Sequence, residues 1–316
     1  MPADGTSAAE PIVRRTVPGQ IGFDQGVMTS PELERADEEA IARAMTLIQS
    51  RHESGQVPDH MYYHNWAHTA GVIERAQALG VAMGMSERHL LLTTIAAAYH
   101  DVVQRWVPVD HEGGVVLRQR LAGRDEVASA HEAVEAMQMF GVPFTQEERG
   151  IVASAIIATI PGWDGDANTV SQPFLVAHPV VAAVAIADLG ASGMDSAMYF
   201  RDGPALFAEE NLDLMQCVMG VRSAAEISPD RQEIYRSRYL AWLGIQPGFA
   251  RGRLKRMEGG ELDGFAPEVR ERIRALFSRF EESITLSEAA VTRARTLDFV
   301  PLMRQLDARA FPDDPN

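Results

Sequence analysis

His64 and His68 in MYYHNWAHTAGV, and the His100–Asp101 doublet that closes the apolar run LLLTTIAAAYHD, are the residues best suited to chemistry. An apolar run ends in an imidazole and a carboxylate only if something offsets their burial. A bound cation does so, because it takes carboxylate and neutral imidazole as ligands. A second carboxylate is Asp188, the only charged residue in VAAVAIADLG, where an unpaired acid is costly. His68, His100, Asp101 and Asp188 make a nitrogen and oxygen donor set without thiolate. Such a set suits a divalent ion of Mn, Fe, Co, Ni, Zn or Mg, with water completing the coordination. Four separate ligands hold one ion, and a bridging Asp101 holds two. The chemistry this points to is metal-assisted hydrolysis.

These side chains need helices to position them. The segment YYHNWAHTAGVIERAQALGVAMGM has apolar spacings of three and four and reads as a helix. On it His64 and His68, four residues apart, share one face. His100 and Asp101 are adjacent, so both reach one ion only near a helix end. Ser86 caps the helix that carries them, with Glu87 in its first turn. SPELERADEEAIARAMTLIQSRH has a Ser-Pro start and early acids. DEVASAHEAVEAMQMFG and TQEERGIVASAIIATIPGW read as further helices, and HPVVAAVAIADLGASG is apolar on nearly every side and belongs in the core.

The segments RWVPVDHEGGVVLRQRLAGRD and GWDGDANTVSQP read as loops, with no extended strand alternation. After residue 205 the pattern stays helical and becomes more charged. The expected architecture is all-α: a mobile N-terminal arm over residues 1–30, a catalytic domain over 31–245, and helices over 246–316 packed on or beside it.

The chain of 316 residues is long enough to bury a full core, and its net charge is −15. That sign disfavours a nucleic-acid polymer or an anionic membrane as partner. A small anionic substrate stays compatible, since a local metal outweighs a distant field. Cys217 is the only cysteine, so no intrachain disulfide forms. No run approaches the roughly 18 apolar residues of a membrane span, and the N-terminus lacks a secretory pattern. The expectation is a cytoplasmic protein. The charged C-terminal helices leave a homo-oligomer open.

YHNWAH, then YHD, then the Asp of ADLG resemble, in that order, the HD superfamily of metal-dependent phosphohydrolases. YHN-x-x-H is also similar to the opening motif of the cyclic-nucleotide phosphodiesterase catalytic core, and the likeness is greatest to small bacterial HD-type phosphohydrolases. It spans roughly residues 40 to 245. It implies an HD-domain helical bundle with additional C-terminal helices. It places His68, His100, Asp101 and Asp188 on metal-ligand positions, and His64 where a proton is given to the leaving oxygen.

DEVASAHEA corresponds to a third element, bringing Glu126 and, on the same helix, His131 forward as substrate contacts beside Asn65. The chain departs from the family at Pro161, where related proteins often have His, and at Val102, Val103 and Gln104 after the doublet. The implied activity is cleavage of a phosphomonoester or phosphodiester of a small metabolite or nucleotide by metal-bound hydroxide.

Two other readings stand beside it. A di-iron HD oxygenase would need further histidines, for which His111, His131 and His178 are the options. A non-catalytic, metal-stabilised regulatory or binding protein would keep the site without turnover. Plainer roles also compete: Glu126 as a helix N-terminal acid, and Arg222, Arg231, Arg236 and Arg238 as solvated helix-surface partners of acids instead of phosphate ligands.

Overall fold

Residues 30–53 and 55–315 are described by the computed structural model. Residues 1–29 of the expected mobile arm lie outside the described residues. Ser30 closes helix α1 (Pro31–Ile48) from the front: its hydroxyl accepts a hydrogen bond from the Leu33 amide at 3.3 Å, and Pro31 occupies the first turn. After one π-helical turn the chain enters α2 (Trp66–Ala82) and then α3 (Glu87–Tyr99). The Ser86 hydroxyl caps α3 by accepting from the His89 amide at 3.3 Å.

The molecule is mostly helical, as expected, and α3 is its axis. Every residue from Leu91 to Tyr99 is buried, so from Leu91 onward this helix has no solvent face. It packs against α1, α2, α4 (Arg124–Ala136), α5 (Gln146–Ile157) and α6 (Pro179–Asp188). Helix α6 is buried from Val180 to Ala187 for the same reason, an apolar composition all round. Each large aliphatic side chain enclosed here, such as Leu92, Ile95 or Ile186, contributes about 1.5–3 kcal/mol over leaving it in water. That enclosure fixes the ends of α3 and α6, where the polar doublet and Asp188 sit.

Two segments expected to be loops form short hairpins. β1 (Trp106–His111) pairs antiparallel with β2 (Val115–Arg120), Trp106 opposite Arg120, and β3 (Gly162–Asp164) pairs with β4 (Thr169–Ser171). Gly113 and Gly114 turn the first hairpin with φ of 74° and 71°, a backbone that glycine adopts without penalty. The exposed faces of this hairpin hide its alternation in the sequence. Arg231 braces the turn by donating to the Gly113 and Gly114 carbonyls, both at 3.0 Å.

A second apolar cluster lies under α8 (Ser196–Glu210), α9 (Leu212–Gly220), α10 (Pro229–Glu258), α12 (Phe280–Thr296) and α13 (Phe299–Met303), where Phe207, Leu214, Tyr239, Leu302 and Phe311 meet. A four-residue turn, α7 (Ala191–Met194), leads into α8, and α11 (Pro267–Leu276) joins α10 to α12. The expected boundary at residue 245 falls inside α10, which runs on through Pro247 and packs against β4, α7, α8 and α12. No linker separates a catalytic domain from an extension there. The loss of one helical hydrogen bond at Pro247 is offset by the packing of the helix on both sides of it.

Candidate metal centre

The α2 end of the site differs from the helical reading. His64 precedes the helix: Asn65 is the N-cap in extended conformation (φ −120°, ψ 179°), and its side-chain oxygen accepts from the His68 amide at 3.1 Å. Its side-chain amide donates to the Tyr62 carbonyl at 2.6 Å, and Glu53 accepts from the Trp66 amide at 2.6 Å. His64 and His68 therefore neighbour one another, ring centroids 6.1 Å apart, because the chain bends at Asn65 and not because they share a helical face. The Tyr63 ring packs between them, 4.7 Å from His64 and 4.4 Å from His68. Asn65 shapes this entry; both arms of its amide are spent on backbone.

His100 caps the C-terminus of α3, and its Nδ1–H donates to the Ala97 carbonyl at 2.7 Å. That bond leaves Nε2 with its lone pair directed away from the helix, as a metal ligand requires. Asp188, the last residue of α6, meets it from across the core. His100 Nε2 lies 3.0 Å from Asp101 Oδ2 and 3.6 Å from Asp188 Oδ1; His68 Nε2 lies 3.5 Å and 3.3 Å from the same two oxygens.

Both Nε2 atoms are buried and make no hydrogen bond to any described residue. Two imidazole nitrogens left so in a dry site are costly. A cation beside them and the two carboxylates would satisfy all four, so the residues fit a metal. His68, His100 and Asp101 can hold an ion, and Asp188 stands in contact with both histidines. Burial opposes charge on His100, Asp101 and Asp188. At His100, Asp101 and Asp188 outweigh burial and raise the imidazole well above its ordinary range. At Asp101, His100 and His64 outweigh it and hold the carboxyl well below. The cluster is thus a place that attracts positive charge, and an ion binding there displaces protons.

Three partners of this centre were given no role in the sequence reading, where Gln104 stood only as a departure from the family and Glu209 and Arg120 did not stand out. Glu209, buried at the end of α8, bonds through Oε1 to His64 Nδ1 and through Oε2 to the amides of Tyr63 (2.9 Å) and His64 (3.0 Å). Burial opposes the Glu209 charge, but the His64 imidazole and those amides prevail and bring its pKa down to about 2. Gln104 donates to Asp101 Oδ1 at 2.7 Å and accepts from Arg120 Nε at 2.8 Å. Arg120, at the end of β2, places Nη2 3.9 Å from Asp101 Oδ1 and 3.7 Å from Glu126 Oε1. Beside them Glu210 is raised above the ordinary carboxyl range, first by burial and then by Glu209.

The readable traces of these residues are slight. Arg118 and Arg120 alternate in VVLRQR as one face of a strand does, and Glu209 sits in AEEN next to a buried Phe-Ala pair.

Other expected contacts fall elsewhere. Glu126 is buried at the start of α4, and its Oε2 accepts from the Gly123 amide at 2.5 Å, the helix-terminal role. His131 is on the solvent side of α4, its side chain 73% exposed and 3.7 Å from Glu135. His111 is exposed near the hairpin turn, and His178 packs on His89 with centroids 6.2 Å apart. None of these three joins the cluster. Val102 and Val103 follow the doublet, with the Val103 amide held by Ser129 Oγ at 3.1 Å.

The four downstream arginines are structural. Arg222 pairs with Asp313, Arg236 donates to the Arg295 carbonyl at 2.9 Å, and Arg231 and Arg238 meet Asp213 at 3.1 and 2.8 Å. Among the described residues, no helix is long and apolar enough to cross a membrane. No family model, curated protein or solved structure matches the chain.

Proposed function

We propose that the protein is a metal-dependent phosphohydrolase of the HD type, acting on a phosphoester of a small metabolite or nucleotide. The observation that carries this is the convergence of two hydrogen-bond-free imidazole nitrogens and two carboxylates beside a His64–Glu209 pair. A divalent ion of the kind this donor set takes (Mn, Fe, Co, Ni, Zn or Mg) would supply water activation and offset charge on phosphoryl oxygens. The protein's own share is a proton path and a dry, oriented site. Glu209 fixes Nδ1 of His64, so the ring's Nε2 is the atom that gives a proton to a departing alkoxide. The His64 ring is itself buried, with the Tyr63 ring packed edge-on against it.

A screen of phosphomonoesters and phosphodiesters with ion-loaded protein tests the reading. Hydrolysis of at least one class, abolished together with ion retention by Asp101→Ala, is expected. Wild-type turnover by Asp101→Ala would refute the site assignment.

A further inference from the structure

Arg120 is unlike the other arginines that the fold encloses. Arg118 donates to the His60 carbonyl at 3.3 Å and lies over the Trp106 ring at 4.7 Å, and Arg253 donates to Glu261 at 2.7 Å. Arg120 makes one hydrogen bond among the described residues, from Nε to Gln104. Its terminal nitrogens make none: Nη2 stays 3.9 Å from Asp101 and 3.7 Å from Glu126, beyond hydrogen-bond reach. The side chain is 21% exposed, so the fork is held over the cluster yet open on one side.

The carboxylates of Asp101 and Glu126 favour the charge of this guanidinium without taking its terminal donors, and the geometry points to which acceptor those donors fit. Gln104 occupies the Nε side, which leaves the end-on Nη1/Nη2 fork to grip two oxygens of one planar or tetrahedral anion. The same Asp101 touches both this fork and His100. An anion in the fork is therefore adjacent to the candidate metal donors.

We propose that Arg120 receives the phosphoryl group through Nη1 and Nη2, and that the preferred substrate is a phosphomonoester. The inference rests on the hydrolase reading and deepens it. The choice of ester follows from counting oxygens. The fork takes two non-bridging oxygens and the cation takes at least one, so three are needed. A monoester has three and a diester has two. Gln104 acts as the positioning residue: it holds Nε and Asp101 Oδ1 together, aligning fork and cluster.

The test is a calorimetric titration of ion-loaded protein with inorganic phosphate and with dimethyl phosphate, comparing wild type, R120Q and R120K, with ion content measured in each. Wild type should bind inorganic phosphate at least about 10-fold more tightly than dimethyl phosphate, and R120Q should lose about 10-fold or more of the phosphate affinity at unchanged ion content. R120K keeps the charge and loses the fork, so it should also weaken phosphate; it decides the matter if R120Q does not fold.

Phosphate affinity equal to wild type in an ion-loaded variant would overturn the role of Arg120 and leave the hydrolase reading standing. Equal binding of the two anions by wild type would overturn the monoester preference. No phosphate binding by ion-loaded wild type would remove both the inference and the reading beneath it.

Discussion

At the scale of single residues, the proton-donor role proposed for His64 depends on a neighbour 145 positions away. Glu209 accepts from both the ring and the backbone of His64, so it sets the ring's orientation and leaves Nε2 as the free nitrogen in the proposed role. Glu209→Gln keeps the size and removes the charge. It should lower kcat about 10- to 100-fold while ion content stays at the wild-type level, as measured by steady-state kinetics beside elemental analysis. Loss of the ion would instead mean that Glu209 supports the metal cluster. His68, His100, Asp101 and Asp188 were legible because each is a polar residue in or closing an apolar segment. Glu209 and Arg120 were not, because acids at helix ends and arginines near turns are common, and only tertiary packing encloses these two. His64 was placed beside His68 for the wrong reason, since its proximity comes from the turn at Asn65.

At the scale of elements, helix starts were the most readable features. Ser30 and Ser86, read as helix starts, cap their helices through side-chain oxygens, and the structure adds Thr145 and Ser228 in the same role. At Thr145 the cap is reciprocal: Glu148 accepts from the Thr145 amide at 2.8 Å and pairs with Arg88 at 2.7 Å, tying α5 to α3. The Arg88 hydrogen bond is the largest influence on Glu148 and, with the cap, pulls its pKa from 4.5 to about 2.

A carboxyl lowered on folding stabilises the native state above its unfolded pKa and loses that effect as pH falls through the folded one. The difference in unfolding free energy between wild type and Glu148→Gln, on the order of 1 kcal/mol after solvent screening, should be constant above pH 4.5 and vanish towards pH 2. Denaturant titrations across that range check it, and a difference that persists at the acid end would contradict the assignment. The hairpins were harder to read, because Pro108, Asp110 and His111 interrupt the apolar alternation of β1 and its ladder is short.

At the scale of the whole molecule, α10 is the member that makes one body of the chain. Its first half carries Tyr235, Tyr239 and Leu243 into the second apolar cluster, and its second half buries Ala250, Arg253 and Met257. Arg253 is enclosed with Glu261 at 2.7 Å, so ending the chain before them leaves the mating surfaces of β4, α7 and α8 uncovered. A chain ending at residue 245 should not fold, giving no cooperative thermal transition by circular dichroism. A soluble truncated form with a sharp transition would show that the C-terminal helices are dispensable. The continuous α10 was not legible because Gly244, Pro247 and Gly248 are poor helix formers, and contacts on both sides carry the helix across them.

Whether the His68, His100, Asp101 and Asp188 donors hold a metal ion decides everything proposed above. Elemental analysis of the full chain purified without added metal or chelator, beside Asp101→Ala, addresses it directly. At least one divalent ion per wild-type chain is expected, with the Asp101→Ala protein folded and depleted of it. A wild-type chain that holds no ion even after incubation with each candidate divalent metal would contradict that expectation.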